Sequence, residues 1–161
     1  METVEPVSPL ERPFGDDRPA RLATLDADPA AEAALAELRD ALPADRLLTD
    51  PDTIGPYVHD EAEWAEYGTP VAMVRPRSTD EVAEVVRSCA RNHVAVVPRG
   101  AGTGLSGGAN AVDGCIVLSL ERMNEIVEID PGERLAVVQP GVVNDHLRAA
   151  AAAQDLWYPP D

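Results

Sequence analysis

The sequence contains no lysine, and all 13 of its basic residues are arginine. It has 29 acidic residues, so its formal net charge at pH 7 is −16. Acidic residues outnumber arginine in residues 1–70 (17 against 5) and, less strongly, in residues 71–161 (12 against 8). A nucleic-acid backbone is bound by clustered positive charge. The composition therefore argues against a nucleic acid as partner.

Aromatic residues, cysteines and long apolar runs are also scarce. Only 4% of the residues are aromatic, so the core must consist mainly of aliphatic side chains. Cys89 and Cys115 form no C-x-x-C pair, which excludes a cysteine-rich metal site, and each is expected to be buried as a small apolar residue. No apolar run approaches the roughly 20 residues of a membrane helix, and the N-terminal segment is polar. We expect a cytoplasmic protein with no transmembrane segment and no metal site.

The chain divides into three segments by composition. Residues 1–27 contain four prolines and little periodicity, which predicts a disordered leader. Residues 28–66 are interpreted as an N-terminal helix and a linker, and residues 67–161 as the main domain. Asp28 and Pro29 begin the helix as N-cap and first-turn proline, and Pro43 ends it. The linker is expected to be anchored on the main domain by three apolar side chains: Ile54, Tyr57 and Trp64.

The main domain is predicted to be α+β. VAMV at 71–74 and VAVV at 94–97 are predicted strands, and the helix between them begins with a capping box, Ser78 to Glu81. A strand–helix–strand unit favours a parallel pair. The other predicted elements are strands at 115–120, 125–130 and 134–140, the last two forming a hairpin at Pro131-Gly132, and a helix at about 143–154.

A glycine loop is the most informative local feature. Five of the eleven glycines lie in RGAGTGLSGGAN at 99–110. Gly102 to Gly107 spells G-x-G-x-x-G, but a Walker loop requires a lysine that this chain lacks. A Rossmann loop requires a following helix whose N-terminus holds a pyrophosphate. Here the chain passes from Gly107 through a short polar segment into a strand, which argues against that motif.

Two interpretations of the glycine loop remain, an anion-binding backbone nest and a mobile surface turn. Glycine lets successive N–H groups converge on an anion, and it lets a ligand approach the backbone closely. Arg99 contributes a positive charge, and Thr103 and Ser106 contribute hydroxyl donors. Ordering five glycines carries a large entropic cost for a mere connector, which favours the nest.

Other reactive side chains form no recognisable site. His59, His93 and His146 are far apart in sequence and are expected to have structural or surface roles, because no zinc-like spacing is present. Ser106 lacks the strand–turn–helix context of a nucleophilic serine. The acidic patch at 60–63 is interpreted as a solvated face without chemistry.

Several motifs occur together in one order. They are VRPRSTDEVAEVVR (74–87), VPRGAGTGLSGGA (97–109), IVLSLERMN (116–124), EIDPGERLAVVQPGVVNDHL (128–147) and LWYPPD (156–161). In this set the chain resembles the FAD-linked oxidases of the vanillyl-alcohol oxidase and p-cresol methylhydroxylase (PCMH) superfamily. The resemblance is strongest to the glycolate oxidase FAD subunit and D-lactate or D-2-hydroxy-acid dehydrogenase branch. It covers about Val71 to Asp161, with weaker likeness back to Leu47.

The resemblance implies a fold and a cofactor. The fold is α+β, the N-terminal part of a PCMH-type domain whose two subdomains enclose an extended FAD. Some family members attach FAD to a loop histidine, but the matching position here is Thr103, which implies noncovalent FAD. Trp157 and Tyr158 are candidates to flank the flavin, although a core or interface position is favoured for both. The implied cofactor-binding residues are Pro98, Arg99, Gly100, Ala101, Gly102, Thr103, Gly104, Leu105, Ser106, Gly107, Pro140, Gly141, Val142, Pro160 and Asp161.

The resemblance also implies hydride transfer from a 2-hydroxy acid to flavin N5. The family's catalytic and metal-binding residues belong to a region beyond the counterpart of Asp161, so no catalytic residue is assigned. We expect a substrate only if that remainder is supplied. The alternative is a catalytically incomplete fragment of a split or truncated protein that binds FAD or pairs with a chain carrying the rest; a degenerate remnant is a further option. Enolpyruvyl-reductase and molybdo-hydroxylase flavin domains share the cradle, but the ERMN and PPD stretches favour the hydroxy-acid branch.

Overall fold

A computed structural model describes residues 28–62 and 64–160 of the chain. The leader predicted at 1–27 lies outside the described residues, and so does the predicted cofactor contact Asp161.

The first helix, α1, spans Pro29–Ala41 and begins where the sequence predicts it. The Asp28 carboxylate accepts a hydrogen bond from the backbone N–H of Ala30 at 2.9 Å, satisfying one of the unpaired donors of the first turn. The helix ends at Leu42, directly before Pro43. Its apolar face, centred on Leu35 and Leu38, is buried in the core.

The linker contributes a strand to the main sheet. It contains β1 (Leu47–Leu48), a short helix α2 (Pro51–Ile54) and a 3₁₀ turn (Gly55–Tyr57). β1 pairs antiparallel with β2 (Ala72–Val74). Ile54 is buried and Tyr57 packs beside it, as expected. The expectation for Trp64 was wrong, because its side chain is 76% exposed and packs against neither core cluster.

Helix α3 spans Thr79–Asn92 and uses half of the predicted capping box. The Ser78 hydroxyl accepts from the Glu81 N–H at 3.2 Å. The Glu81 carboxylate accepts from the N–H of Arg77 at 2.7 Å rather than from that of Ser78. The helix ends at His93, whose φ of 57° lies in the left-handed region.

The main sheet has the strand order β1-β2-β4-β3, with β3 at Val96–Arg99 and β4 at Ile116–Ser119. β2 and β3 are parallel, but they are not the adjacent pair that strand–helix–strand favoured, because β4 lies between them and pairs with both. All four residues of β4 are buried, which suits a central strand. Pro98 lacks the N–H that a ladder needs and therefore suits the edge strand β3.

A separate antiparallel hairpin follows, as predicted. β5 (Ile126–Asp130) pairs with β6 (Leu135–Val138), with an irregularity between Ile126 and Glu128. Helix α4 (Asn144–Ala152) comes after the hairpin. Among the described residues, no helix combines the length and apolar character needed to cross a membrane.

The main sheet has a core on each face. One core lies between the sheet and helices α1 and α3, and the other lies between the sheet and the linker. Cys89 belongs to the first core and Cys115 to the second, as small apolar residues. Burial raises the pKa of the Cys89 thiol to about 11 and also raises that of Cys115, so both thiols are protonated at neutral pH.

Two fully buried serines predict opposite effects on stability. Ser88 donates to a Glu37 carboxylate oxygen at 2.8 Å, whereas the Ser119 hydroxyl has no hydrogen-bond partner among the described residues. Ser88→Ala is expected to lower the free energy of unfolding by about 1–2 kcal/mol, and Ser119→Ala to leave it unchanged or raise it by about 1 kcal/mol. Urea denaturation of the two variants provides the measurement. A larger loss for Ser119→Ala than for Ser88→Ala contradicts the assignment.

Glu37 predicts a loss of stability in acid. Hydrogen bonds from Arg91, Ser88 and Asn92 lower the pKa of its carboxyl from 4.5 to about 2. Because the folded pKa is depressed, the stabilisation is fully present above pH 4.5 and is lost as the pH falls from there toward about 2. The melting temperature of Glu37→Gln is expected to lie below that of the wild type at pH 6 and to converge with it near pH 2. A constant difference across this range contradicts the prediction.

Candidate functional site

The glycine loop lies at the carboxyl edge of the parallel strands. It begins directly after Arg99, the last residue of β3, and the neighbouring strand β4 ends at the paired residue Ser119. Ligands of open α/β sheets bind outside the carboxyl ends of the strands. Topology therefore places this loop at the edge of the sheet where a ligand is expected.

The backbone of the loop presents unused hydrogen-bond donors. The N–H groups from Gly100 to Gly108 donate to no group within residues 28–62 and 64–160. Most of these residues are exposed, including Thr103 and Ser106, which carry the hydroxyl groups. Gly102 and Gly107 have φ values of 80° and 74°, in the left-handed region that favours glycine. Left-handed residues are one component of an anion nest.

Four of the five glycines of the loop fall into two classes. A Cβ on Gly102 would lie 2.0 Å from Arg99 Nη2, and one on Gly107 would lie 2.8 Å from the Ala65 Cβ. The chain's own packing therefore requires these two glycines. A Cβ on Gly100 or Gly108 would meet nothing within 4 Å. Their lack of a side chain keeps open space above the loop and does not serve internal packing.

Arg99 lies beneath the loop. Its side chain is buried, Nη1 donates to the carbonyl oxygen of His59 at 2.6 Å, and Cζ lies 5.7 Å from the centre of the Tyr57 ring. The sequence interpretation gave Arg99 a positive charge that aids an anion. The structure adds a mechanical role, because the guanidinium fills the space under Gly102 and ties the end of β3 to the linker.

The solvated-face interpretation of the acidic patch was wrong for Asp60. This residue is 5% exposed, although its neighbour Glu61 is exposed as expected. Its N–H donates to the side chain of Asn110 at 2.8 Å, and Asn110 is also buried. The two residues are separated by 50 positions, so no local sequence pattern signals the contact. Sequence reasoning missed both.

The predicted Pro140-Gly141-Val142 segment reaches the same edge. The N–H of Gly141 donates to the carbonyl of Met123 at 2.7 Å, and a Cβ on Gly141 would lie 2.1 Å from the carbonyl oxygen of Leu120. The N–H of Leu120 in turn donates to the carbonyl of Arg99 at 2.9 Å. This turn and the start of the glycine loop therefore contact the same residue.

The remaining predicted contacts lie elsewhere. The carbonyl of Pro160 accepts from Arg148 on α4 at 2.7 Å, so the structure joins Pro160 to that helix. Trp157 is 82% exposed, not core. The ring centroids of His59 and Tyr67 lie 5.0 Å apart, and His93 ends α3. Across the described ranges, no group of three His, Cys, Asp or Glu side chains is arranged to hold a metal ion.

Comparison with known proteins identifies the family. A model described as an FAD binding domain matches residues 70–161, more than half of the chain. The chain belongs to this family of FAD-binding domains. The family cofactor is FAD, as the sequence resemblance implied.

The curated relatives carry names of the expected branch. The FAD-binding chain is 42% identical over 92 residues to the glycolate oxidase subunit GlcD of Bacillus subtilis, covering 57% of this chain and 20% of that protein. It is 39% identical over 127 residues to the D-2-hydroxyglutarate dehydrogenase of Stutzerimonas stutzeri, covering 78% of this chain and 27% of that one. The chain thus spans about a quarter of the length of these relatives.

Solved structures confirm the fold class. The FAD-binding chain superposes on p-cresol methylhydroxylase with a TM-score of 0.68 at 26% identity, covering 79% of this chain and 25% of that one. It superposes on the 4-ethylphenol oxidase of Gulosibacter chungangensis with a TM-score of 0.69 at 25% identity, covering 78% and 25%. The PCMH-type α+β fold inferred from the motifs is therefore correct.

Proposed function

We propose that this chain is the FAD-binding portion of a flavin-dependent oxidoreductase that oxidises a 2-hydroxy acid. The observation that carries the proposal is the run of unused N–H groups from Gly100 to Gly107 at the carboxyl edge of the sheet. Relatives named for glycolate, D-2-hydroxyglutarate and D-lactate, all 2-hydroxy acids, support the substrate class.

The residues present fit a dinucleotide at the glycine loop. Several backbone donors in sequence suit the oxygens of a pyrophosphate. The open space over Gly100 allows a ligand to approach the backbone. The turn at Gly141 is joined to the loop through Leu120 and adds a second segment at the same edge. We assign Pro98 to Gly107 and Pro140 to Val142 to the cofactor, and Pro160 and Asp161 by resemblance alone.

The chain's contribution is to bind and orient. When bound, FAD supplies the acceptor for a hydride from the α-carbon of the 2-hydroxy acid. The proposed cradle holds the phosphates through backbone N–H groups, with the hydroxyl groups of Thr103 and Ser106 beside them. The loop from Gly100 to Gly108 contains no histidine, so we propose noncovalent attachment. We assign no substrate-binding or catalytic group to this chain.

A second candidate function is pairing with a chain that carries the remainder of the protein. The hairpin β5–β6 favours it, because a two-stranded sheet is marginally stable alone and this one exposes apolar side chains. Its exposed apolar residues are Val127, Leu135, Val137 and Val138. The cytoplasmic location expected from the sequence stays a prediction.

A flavin-retention experiment tests the proposal. The purified chain is mixed with FAD, FMN or riboflavin and passed through a desalting column. FAD is expected to coelute with the protein and riboflavin is not, because riboflavin lacks the phosphates that the loop binds. Acid precipitation is expected to release the flavin into the supernatant, as noncovalent attachment requires.

The pairing candidate is tested with the same readout. A polypeptide corresponding to the remainder of a full-length relative is added, and size-exclusion chromatography reports complex formation. FAD retention only in the complex supports the pairing function. If neither the chain nor the complex retains FAD, the proposed function is wrong.

A further inference from the structure

Asp60 is a buried residue whose carboxylate accepts hydrogen bonds from two segments of the chain. Its oxygens accept from the N–H of Ala62 at 3.0 Å, within its own segment, and from the N–H of Ala109 at 3.4 Å, in the glycine loop. No cation in the described ranges forms an ion pair with it. A buried charge is costly unless it is hydrogen-bonded, so these two N–H groups must compensate for lost hydration.

The residues around Asp60 form a strap beneath the loop, defined as residues 58–62 and 64–68. The N–H of Glu61 donates to the carbonyl of Gly104 at 2.9 Å. The Asn110 amide accepts from the N–H of Asp60 and donates to the carbonyl of Glu66 at 3.0 Å. The strap therefore forms hydrogen bonds with the loop at 104, 109 and 110.

The strap also contacts the residue before the loop. Arg99 Nη1 donates to the carbonyl of His59, and the next two strap residues contact Gly104. A Cβ on Gly104 would lie 3.2 Å from Asp60 Oδ2, so the carboxylate packs directly against this glycine. Residues 100–103 thus lie between two positions, 99 and 104, that are each held by the strap. Fixing both ends of a short glycine segment limits the conformations that its free N–H groups can adopt.

We infer that Asp60 is a positioning residue for the glycine loop. Its carboxylate accepts from Ala109 and packs against Gly104. These contacts hold the loop so that the N–H groups of residues 100–103 converge on the phosphates of a dinucleotide, without Asp60 contacting that ligand itself. The identity of the ligand rests on the proposed function, whereas the anchoring of the loop does not. Preorganised donors bind more tightly, because the ordering cost is met before the ligand arrives.

The test compares Asp60→Asn with Glu61→Gln in the full chain. Both variants remove one negative charge at adjacent positions, but the Glu61 side chain is exposed, and its backbone N–H is retained. In Asp60→Asn, the new amide group faces the N–H of Ala109 or Ala62, so one hydrogen bond is lost. Amide hydrogen exchange of Ala62 and Ala109, which donate to the Asp60 carboxylate, is expected to rise about tenfold. The FAD dissociation constant, from titration of flavin fluorescence, is expected to rise by a similar factor.

Hydrogen exchange in the main sheet separates positioning from general support of the fold. For Asp60→Asn, exchange is expected to rise at Ala62 and Ala109 while the amides of β2 and β4 keep their protection. A uniform rise across the sheet, or exchange and FAD affinity equal to those of Glu61→Gln, overturns the inference. If the wild type binds no FAD, the proposed function fails, and loop exchange in the apo protein alone decides the role of Asp60.

A wild-type measurement covers the case in which Asp60→Asn does not fold. The amides of Ala62 and Ala109 are expected to be protected from exchange without FAD, because they donate to the Asp60 carboxylate. The amides of residues 100–103 are expected to exchange freely until FAD is added. Free exchange at Ala62 and Ala109 in the wild type overturns the inference.

Discussion

Gly100→Val is expected to abolish most FAD binding while leaving the fold intact. A Cβ at this position meets nothing within 4 Å, and the backbone there is not left-handed, so the position has room for a side chain without backbone strain. The valine side chain occupies the space above the loop in which a dinucleotide would lie. We expect the FAD dissociation constant to rise about 100-fold, equivalent to about 2.8 kcal/mol of binding free energy. The melting temperature without FAD is expected to stay within about 2 °C of wild type.

Gly108→Val is the matched control for this prediction. Gly108 lies in the same loop, is exposed, and has equally open surroundings, but it lies beyond the residues assigned to the cofactor. Its FAD dissociation constant is expected to remain within about threefold of wild type, a change of less than 1 kcal/mol. Fluorescence titration and thermal unfolding of both variants provide the two readouts. Wild-type FAD affinity in Gly100→Val contradicts a cradle at this loop.

Gly141→Ala is expected to have the largest effect on stability. Its Cβ would lie 2.1 Å from the carbonyl oxygen of Leu120 and 2.9 Å from that of Met123, and neither backbone atom can rotate away. The turn must therefore move and lose the hydrogen bond from Gly141 to Met123. We expect a loss of about 3 kcal/mol in the free energy of unfolding, and a melting temperature lower by roughly 10 °C.

Gly132→Ala tests whether that loss is specific to position 141. Gly132 lies in the hairpin turn, where the nearest atom to an added Cβ is a side-chain oxygen of Asp130 at 3.3 Å. That side chain can adjust, so a change below about 0.5 kcal/mol is expected. Differential scanning calorimetry on both variants gives the comparison. Equal melting temperatures for the two variants contradict the packing at Gly141.

Local features of this chain were predictable because their causes are local. Asp28 and Ser78 cap their helices through hydrogen bonds to residues two or three positions away. The hairpin at 126–138 turns where Pro131-Gly132 predicts it, and Asp130 stabilises the turn by accepting from nearby N–H groups. Such contacts join residues that are close in sequence, so one sequence is enough to identify them.

The strand order required the tertiary structure. Strand–helix–strand correctly predicts that β2 and β3 are parallel, but the insertion of β4 between them depends on which strand is buried most completely. Pro98 marks β3 as an edge strand, and the apolar run at 116–119 marks β4 as central. Both signals are present in the sequence. They determine the strand order only when the burial of all four strands in one sheet is compared.

The sequence by itself identified the family and, through the ordered motifs, its cofactor FAD. Five glycines without a lysine or a following helix argue against the Walker and Rossmann sites and favour a backbone nest, which stays a prediction. Only the tertiary structure decided which residues hold the glycine loop in place. Asp60 and Asn110 belong to segments 50 residues apart, and an acidic patch gives no sign that one of its carboxylates is buried. Burial depends on which segments the whole fold brings together, and no local pattern contains that information.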